Sequence, residues 1–313
     1  MSKTANKLRI IFMGTPDFAI PSLSALIKNT DLEIVGVFTQ TDKSAGRGKL
    51  MTTPPIKQLA IQNNLPVFQP LKIKTETDNI RSLKPDLIVV VAYGKIIPQE
   101  ILDIPTYGCL NVHASLLPKY RGAACLNAPI LNGDSETGIT IMKMEAGLDT
   151  GPVLRQEKIS LKGEENLEYV HDKLANLGAQ ILPEVIKGWI NGNIKPIEQE
   201  ESKASYIKML SKEDGHINWN RPAEEIERMI RAYNPWPGTF GFLNKEILKI
   251  IEVDKNPLKI NNYRAGEIFI NQGKLAIQCQ PDALIVRKLQ VSGKKIMDST
   301  DFLRGHKLEG ILE

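Results

Sequence analysis

The chain has 313 residues, 42% of them hydrophobic and 24% charged, with a formal net charge of +4. That composition belongs to a globular protein with a sizeable core, and the length has room for two domains. No run approaches the roughly 18–20 apolar residues of a membrane span. The opening MSKTANK leads into a short apolar strand, without a long apolar leader or a small-residue cleavage site, so a cytoplasmic protein is expected. Cys109, Cys125 and Cys279 form no CxxC, and His113, His171, His216 and His306 lie far apart with no HExxH. Neither a disulfide framework nor a dedicated metal site is expected. The charge divides as +3 over 1–150, −1 over 151–208 and +2 over 209–313, so any nucleic-acid footprint must be a local patch.

Strand and helix signals alternate from the start. Leu8 to Phe12 is an apolar strand, after which Gly14-Thr-Pro-Asp17 opens a helix with Thr15 as cap and Pro16 as first helical residue. Strands at Ile34–Phe38, Val67–Phe68 and Asp86–Ala92 follow, separated by helical patterns at about 17–28, 55–63 and 75–83. Unbroken apolar strands alternating with helices predict an α/β domain with a parallel, Rossmann-like sheet. Leu110–His113, Ile139–Met144 and Val153–Ile159 extend it, and Glu164–Trp189 is a long amphipathic helix. The first domain is expected over 1–190, with a polar linker over 191–208. Over 209–313 a helix at Ala223–Ala232 precedes short strands at Ile247–Val253, Gly266–Ile270, Lys274–Gln278 and Ala283–Leu289. Frequent turns between them predict a small antiparallel barrel or sandwich, and an OB-like β-barrel is expected.

The stretch GCLNVHASLLPKYRGAA, Gly108 to Ala124, carries the chemistry. Residues two apart on a strand point the same way, so Asn111 and His113 project together from a strand's carboxyl end, where open parallel sheets bind ligands. An amide and an imidazole there suit stabilising a developing oxyanion and moving a proton. No nucleophile with a visible triad accompanies them, which leaves the attack to a group on the substrate. Asp149, in the glycine-flanked turn Ala146-Gly-Leu-Asp-Thr-Gly-Pro152, can hold and charge His113 or take a proton from an incoming amine. Taken alone, Asn-x-His also describes a capped turn or a satisfied core histidine, and Asp149 an ordinary Asx turn. Cys125 admits a thiol enzyme paired with His113 or a small packing residue. Gly14-Thr-Pro-Asp is not a GxGxxG fingerprint, and Gly46-Arg-Gly-Lys49 lacks the spacing of a phosphate loop, so neither NAD nor ATP is expected.

Asn111-Val-His113, Ser115-Leu-Leu-Pro118, Arg121-Gly-Ala-Ala124 and Gly147-Leu-Asp-Thr-Gly151 together resemble the formyltransferases that use 10-formyltetrahydrofolate. The resemblance implies a catalytic trio of Asn111, His113 and Asp149, a folate site at Ser115, Leu116, Leu117 and Pro118, and no metal. It extends to Ile10–Phe18, Val37–Gln40, Ala45–Lys49, Val89–Gly94, Arg231–Gly238 and Leu289–Met297. Those segments imply the branch of the family that formylates initiator methionyl-tRNA at the start of translation. Ala114 stands where the family usually has Gly, and Cys125-Leu-Asn127 where it has Pro-Ile-Gln, changes that bear on the pocket wall. Lys43, Arg47 and Lys49, set against one acid, Asp42, in the loop Gln40–Pro54, are candidate tRNA contacts, as are Lys294 and Lys295. The same residues also describe solvated charged turns. A monomer is expected. A small or sugar amine as acceptor, and a non-catalytic RNA-binding protein, remain open alternatives.

Overall fold

The computed structural model describes residues 7–45, 50–305 and 310–313. In chain order the first half carries β1 (Leu8–Gly14), β2 (Leu32–Phe38), β3 (Lys43–Ala45), β4 (Leu50–Thr52) and β5 (Val67–Phe68). It continues with β6 (Leu87–Val91), β7 (Cys109–His113), β8 (Arg121–Gly122), β9 (Glu136–Lys143) and β10 (Val153–Ser160). Seven of these form one sheet in the order β10-β9-β7-β6-β1-β2-β5. The pairs β1–β2, β1–β6, β2–β5 and β6–β7 are parallel, while β7–β9 is antiparallel.

The chain steps outward from β1 through β2 to β5, then returns to β6 on the other side of β1. That reversal makes the carboxyl ends of β1 and β6 a switch point, the usual place for a ligand crevice. Ile10 to Met13 and Leu87 to Val89 are fully buried, which is why these strands read as unbroken apolar runs. The 24-residue helix Leu167–Ile190 covers one face of β7, with Gly178 so close to Val112 that a Cβ would come within 2.8 Å of its side chain. Alternation along β7 then turns Asn111 and His113 to the opposite face.

Two local expectations are corrected. Pro16 occupies the N-cap of a 3₁₀ turn, Asp17–Ala19, that leads into the helix Ile20–Lys28. Thr15 is not a helix cap: its hydroxyl donates to the Tyr93 carbonyl at 3.0 Å, tying the end of β1 to the end of β6. The basic segment after β2 is not simply a flexible loop, because β3 and β4 pair as a hairpin, Lys43 opposite Thr52. Arg47 and Lys49 lie outside the described residues.

The stretch 191–208 is more than a tether. Ile197 bridges Val153, and β11 (Tyr206–Ile207) pairs with β8. The described chain divides into two compact units. One runs up to Gly122 and adds Thr137–Ile159 and His171–Tyr206; the other comprises Ala123–Glu136, Ser160–Val170 and Ile207–Glu313.

The second unit is built on an antiparallel sheet of β12 (Thr239–Leu243), β13 (Glu246–Val253), β14 (Ile268–Asn271), β15 (Lys274–Gln278), β16 (Ala283–Val291) and β17 (Met297–Asp298). The path is β12-β13-β16-β15-β14, with β17 added to β16. β16 is its spine: Ala283 to Ile285 pair with β15, while Val286 to Val291 pair with β13 across two register shifts. Those irregularities bend the ladder and increase its twist, wrapping it around Trp219, Leu248, Ile250, Leu275, Ile277, Leu284, Val286 and Leu289. The helix Ala223–Tyr233 adds Ile226 and Ile230, one turn apart, to that core.

Ile88 is fully buried in β6 among Ile11, Val90, Ile101 and Cys109. Ile88→Ala should destabilise the protein by about 2–5 kcal/mol. The check is an earlier denaturation midpoint with unchanged far-ultraviolet circular dichroism in buffer.

Candidate active site

Asn111 and His113 stand on β7 where the sheet changes from parallel to antiparallel, opposite Met142 and Thr140 of β9. β9 runs back toward the other end of the sheet, so the chain after Lys143 must fold over the sheet face to bring Asp149 to them. It does so. Asn111 Nδ2 donates to Asp149 Oδ1 at a long 3.4 Å, and His113 Nδ1 lies 3.7 Å from Asp149 Oδ2. The Gly122 N–H, from β8, donates to the same Oδ2 at 2.9 Å. The three side chains singled out in the sequence are therefore gathered around one carboxylate.

His113 is only 6% exposed. Its Nε2 is 3.0 Å from the Tyr120 carbonyl, an acceptor, so Nε2 carries the proton of that bond. The ring is thereby fixed with Nδ1 turned toward Asp149. Asn111 is half-buried, and one amide hydrogen suffices for its bond to Asp149, leaving the other for a ligand.

Asp149 has φ of 53°, the left-handed region. A non-glycine residue there costs roughly 1–2 kcal/mol, less for Asp than for most, and has to be held by its surroundings. Gln199 supplies part of that hold. Its Nε2 donates to the Asp149 carbonyl at 2.8 Å and to the Gly151 carbonyl at 2.7 Å. Its Oε1 accepts from Arg121 Nε at 3.2 Å and from Arg121 NH2 at 3.1 Å. Arg121 is 1% exposed, and its NH1 reaches Glu201 at 2.8 Å and the Tyr206 hydroxyl at 2.7 Å. Burial works against that charge, but Glu201 and Tyr206 outweigh it and hold the guanidinium above its ordinary value.

Ser115 to Pro118 leaves β7 as a pinned wall. The Ser115 hydroxyl is fully buried and donates to the Lys119 carbonyl at 2.6 Å. Thr140 Oγ1 donates to the Ser115 carbonyl at 2.6 Å and accepts from the Leu117 N–H at 3.1 Å, and Gln156 Nε2 donates to the Leu117 carbonyl at 2.7 Å. Leu117 is buried, which leaves the partly exposed flanks of Leu116 and Pro118 to meet a ligand. A cavity of about 680 Å³ lies at the amino end of β7, lined among others by Leu102, Tyr107, Gly108, Met144, Gly147 and Trp189, and by none of Asn111, His113, Asp149 or Ser115–Pro118. That volume lies within the range of small-molecule sites.

Of the basic candidates, Lys43 is exposed and donates to Gln40 Oε1 at 2.7 Å. Asp42 does not neutralise it: that carboxylate is paired with Lys57 at 2.8 Å and accepts from Gln69, two bonds that hold it below the usual carboxylate range. Lys294 and Lys295 are exposed on the turn between β16 and β17. Sequence reasoning gave Gln199, Glu201, Tyr206, Thr140 and Gln156 no part. A one-residue amide or hydroxyl strut leaves no periodic signal. Arg121 lay in a motif but was assigned no role. Among the described residues no group of three or more His, Cys, Asp or Glu could hold a metal ion, and no helix is long and apolar enough to cross a membrane.

An amide donor, an imidazole and a carboxylate meet at the carboxyl end of a strand in a Rossmann-like sheet. Residues 7–186 match the formyl transferase family and residues 209–307 its C-terminal domain; the chain belongs to that family. Within it, the chain is similar over nearly its full length to several methionyl-tRNA formyltransferases. That of Trichlorobacter lovleyi is 44% identical over 304 residues, covering 96% of this chain and 95% of the relative. That of Clostridium acetobutylicum is 42% identical over 312 residues, covering 96% and 98%. Among solved structures, an N-formyltransferase from Helicobacter canadensis, in complex with folinic acid and dTDP-3-aminofucose, superposes with a TM-score of 0.66 at 20% identity. That superposition covers 89% of this chain and 98% of the other. HypX from Aquifex aeolicus, in complex with tetrahydrofolic acid, gives 0.65 at 16% identity over 98% of this chain and 49% of its own. At such identities the likeness is one of fold.

Gly151 lies so close to the end of β9 that a Cβ would fall 1.9 Å from the Lys143 carbonyl oxygen. Gly151→Ala must therefore move the loop that carries Asp149. Formyl transfer should fall about tenfold or more, measured as initial rate on protein shown by circular dichroism to be folded.

Proposed function

We propose that this chain transfers the formyl group of 10-formyltetrahydrofolate to the α-amino group of initiator methionyl-tRNA, in the cytoplasm and as a monomer. The observation that carries the reading is the convergence of Asn111 and His113 on Asp149, with carboxylate contacts of 3.4 and 3.7 Å. Full-length similarity to methionyl-tRNA formyltransferases supports the choice of acceptor. In this reading the first unit carries the transfer and the second binds tRNA.

The residues present fit a folate-borne formyl group. The spare amide hydrogen of Asn111 meets an oxygen, and the apolar flanks of Leu116 and Pro118 meet a flat ring system. When bound, 10-formyltetrahydrofolate supplies an activated one-carbon carbonyl. Asn111 Nδ2 donates to the formyl oxygen, and that bond strengthens as negative charge develops there. Asp149 faces the incoming amine and takes up its proton, acting as general base. His113, fixed by the Tyr120 carbonyl, carries a proton on its Nδ1 edge between Asp149 and the departing nitrogen, directly or through one water. Ser115 to Pro118, braced by Thr140 and Gln156, keep the cleft wall in place.

The test is an assay of the purified protein with 10-formyltetrahydrofolate and methionyl-tRNA against free methionine, small amines and nucleotide-linked aminosugars. Product on methionyl-tRNA alone is expected; preferential formylation of an aminosugar would replace the acceptor. Asn111→Ala should cost on the order of 10²–10³ in turnover, and His113→Ala or Asp149→Ala more. Near-normal rates in any of the three would remove that residue's role.

Lys43, Lys294 and Lys295 are proposed to meet tRNA phosphates, with Arg47 and Lys49 as further candidates. Each true contact removed should flatten the dependence of log K on log salt by about 0.7–0.9. Filter binding across a salt series reads it, and an unchanged slope strikes the residue from the interface.

A further inference from the structure

Gln199 sits in the stretch that reads in sequence as a linker, yet its amide is completely used at the site. Both hydrogens go to carbonyls of the Asp149 loop, at residues 149 and 151, and the oxygen takes two bonds from Arg121. Arg121 is itself buried and bonded by Glu201 and Tyr206. The chain thus ties the backbone that follows the strained φ of residue 149 to a buried cation. The carboxylate has only one short bond of its own, from the Gly122 N–H, and its distances to Asn111 and His113 are long.

We propose that Gln199, backed by Arg121, is a positioning residue for formyl transfer: it holds the Asp149 carboxylate between Asn111 and His113 without touching substrate. This rests on the role of Asp149 proposed above. Two variants separate the halves of the amide. Gln199→Ala removes donor and acceptor. Gln199→Glu keeps an acceptor for Arg121, and with it the packing, but turns an oxygen toward the two loop carbonyls. Since the donor half faces the loop, both variants should lose kcat by about 10- to 100-fold, the scale of a misplaced catalytic group. KM for methionyl-tRNA should stay within about twofold, because no binding contact is removed.

The deciding measurement is a double-mutant cycle with Asp149→Ala, since residues acting through one another are not additive. In the Asp149→Ala background, Gln199→Glu should cost less than about twofold further. A normal kcat in Gln199→Glu beside an impaired Asp149→Ala overturns the inference, as does a full loss of the same size in both backgrounds. A normal rate in Asp149→Ala alone overturns the catalytic reading instead, so the two failures are distinguishable. Should Gln199→Ala not fold, Gln199→Glu carries the cycle by itself.

Discussion

A carboxylate mounted on a left-handed backbone residue stays in place only if something outside it holds it there, and the whole site depends on that hold. Asn111 and His113 come from a strand whose position is fixed on both sides by ladder bonds. Asp149 comes from a loop that has no ladder. Its location is set by one backbone N–H, one glutamine and, behind the glutamine, a buried arginine. The sheet thus supplies two of the three groups with little freedom, and the geometry of the third is a matter of side-chain struts.

Much of this was legible in the sequence, for reasons that differ by element. The buried strands β1 and β6 declare themselves because both faces are apolar, and the helix Leu167–Ile190 because its apolar residues repeat over many turns. The trio was legible because two polar residues at spacing two on such a strand are anomalous, and a glycine-bracketed acid is a turn whatever else it is. The resemblance to a known family then connected segments that physics alone leaves unconnected.

What stayed hidden was structure without periodicity. Two-residue strands such as β8 and β11 are too short to show alternation, and polar 191–208 reads as a tether because its role is carried by single side chains. Thr15 looked like a helix cap because Thr before Pro usually is one; the nearby Tyr93 carbonyl competes for the same hydroxyl and wins it. β12 escaped because Gly241 interrupts its short apolar run, and the glycine is there to let Trp219 and the chain end approach closely. Ala123–Glu136 and Ser160–Val170 group with residues far away in sequence, an association that no local pattern encodes.

The antiparallel turn of β9 has one more consequence. By running away from His113, it makes the chain travel back before Asp149 can arrive, and beyond Met144, whose N–H still donates to the Cys109 carbonyl, that return path is held by side-chain bonds and not by the sheet's ladder. A change in the loop's side-chain bonds can therefore displace the third group while every strand keeps its partners, so loss of the site's geometry and loss of the fold are separable.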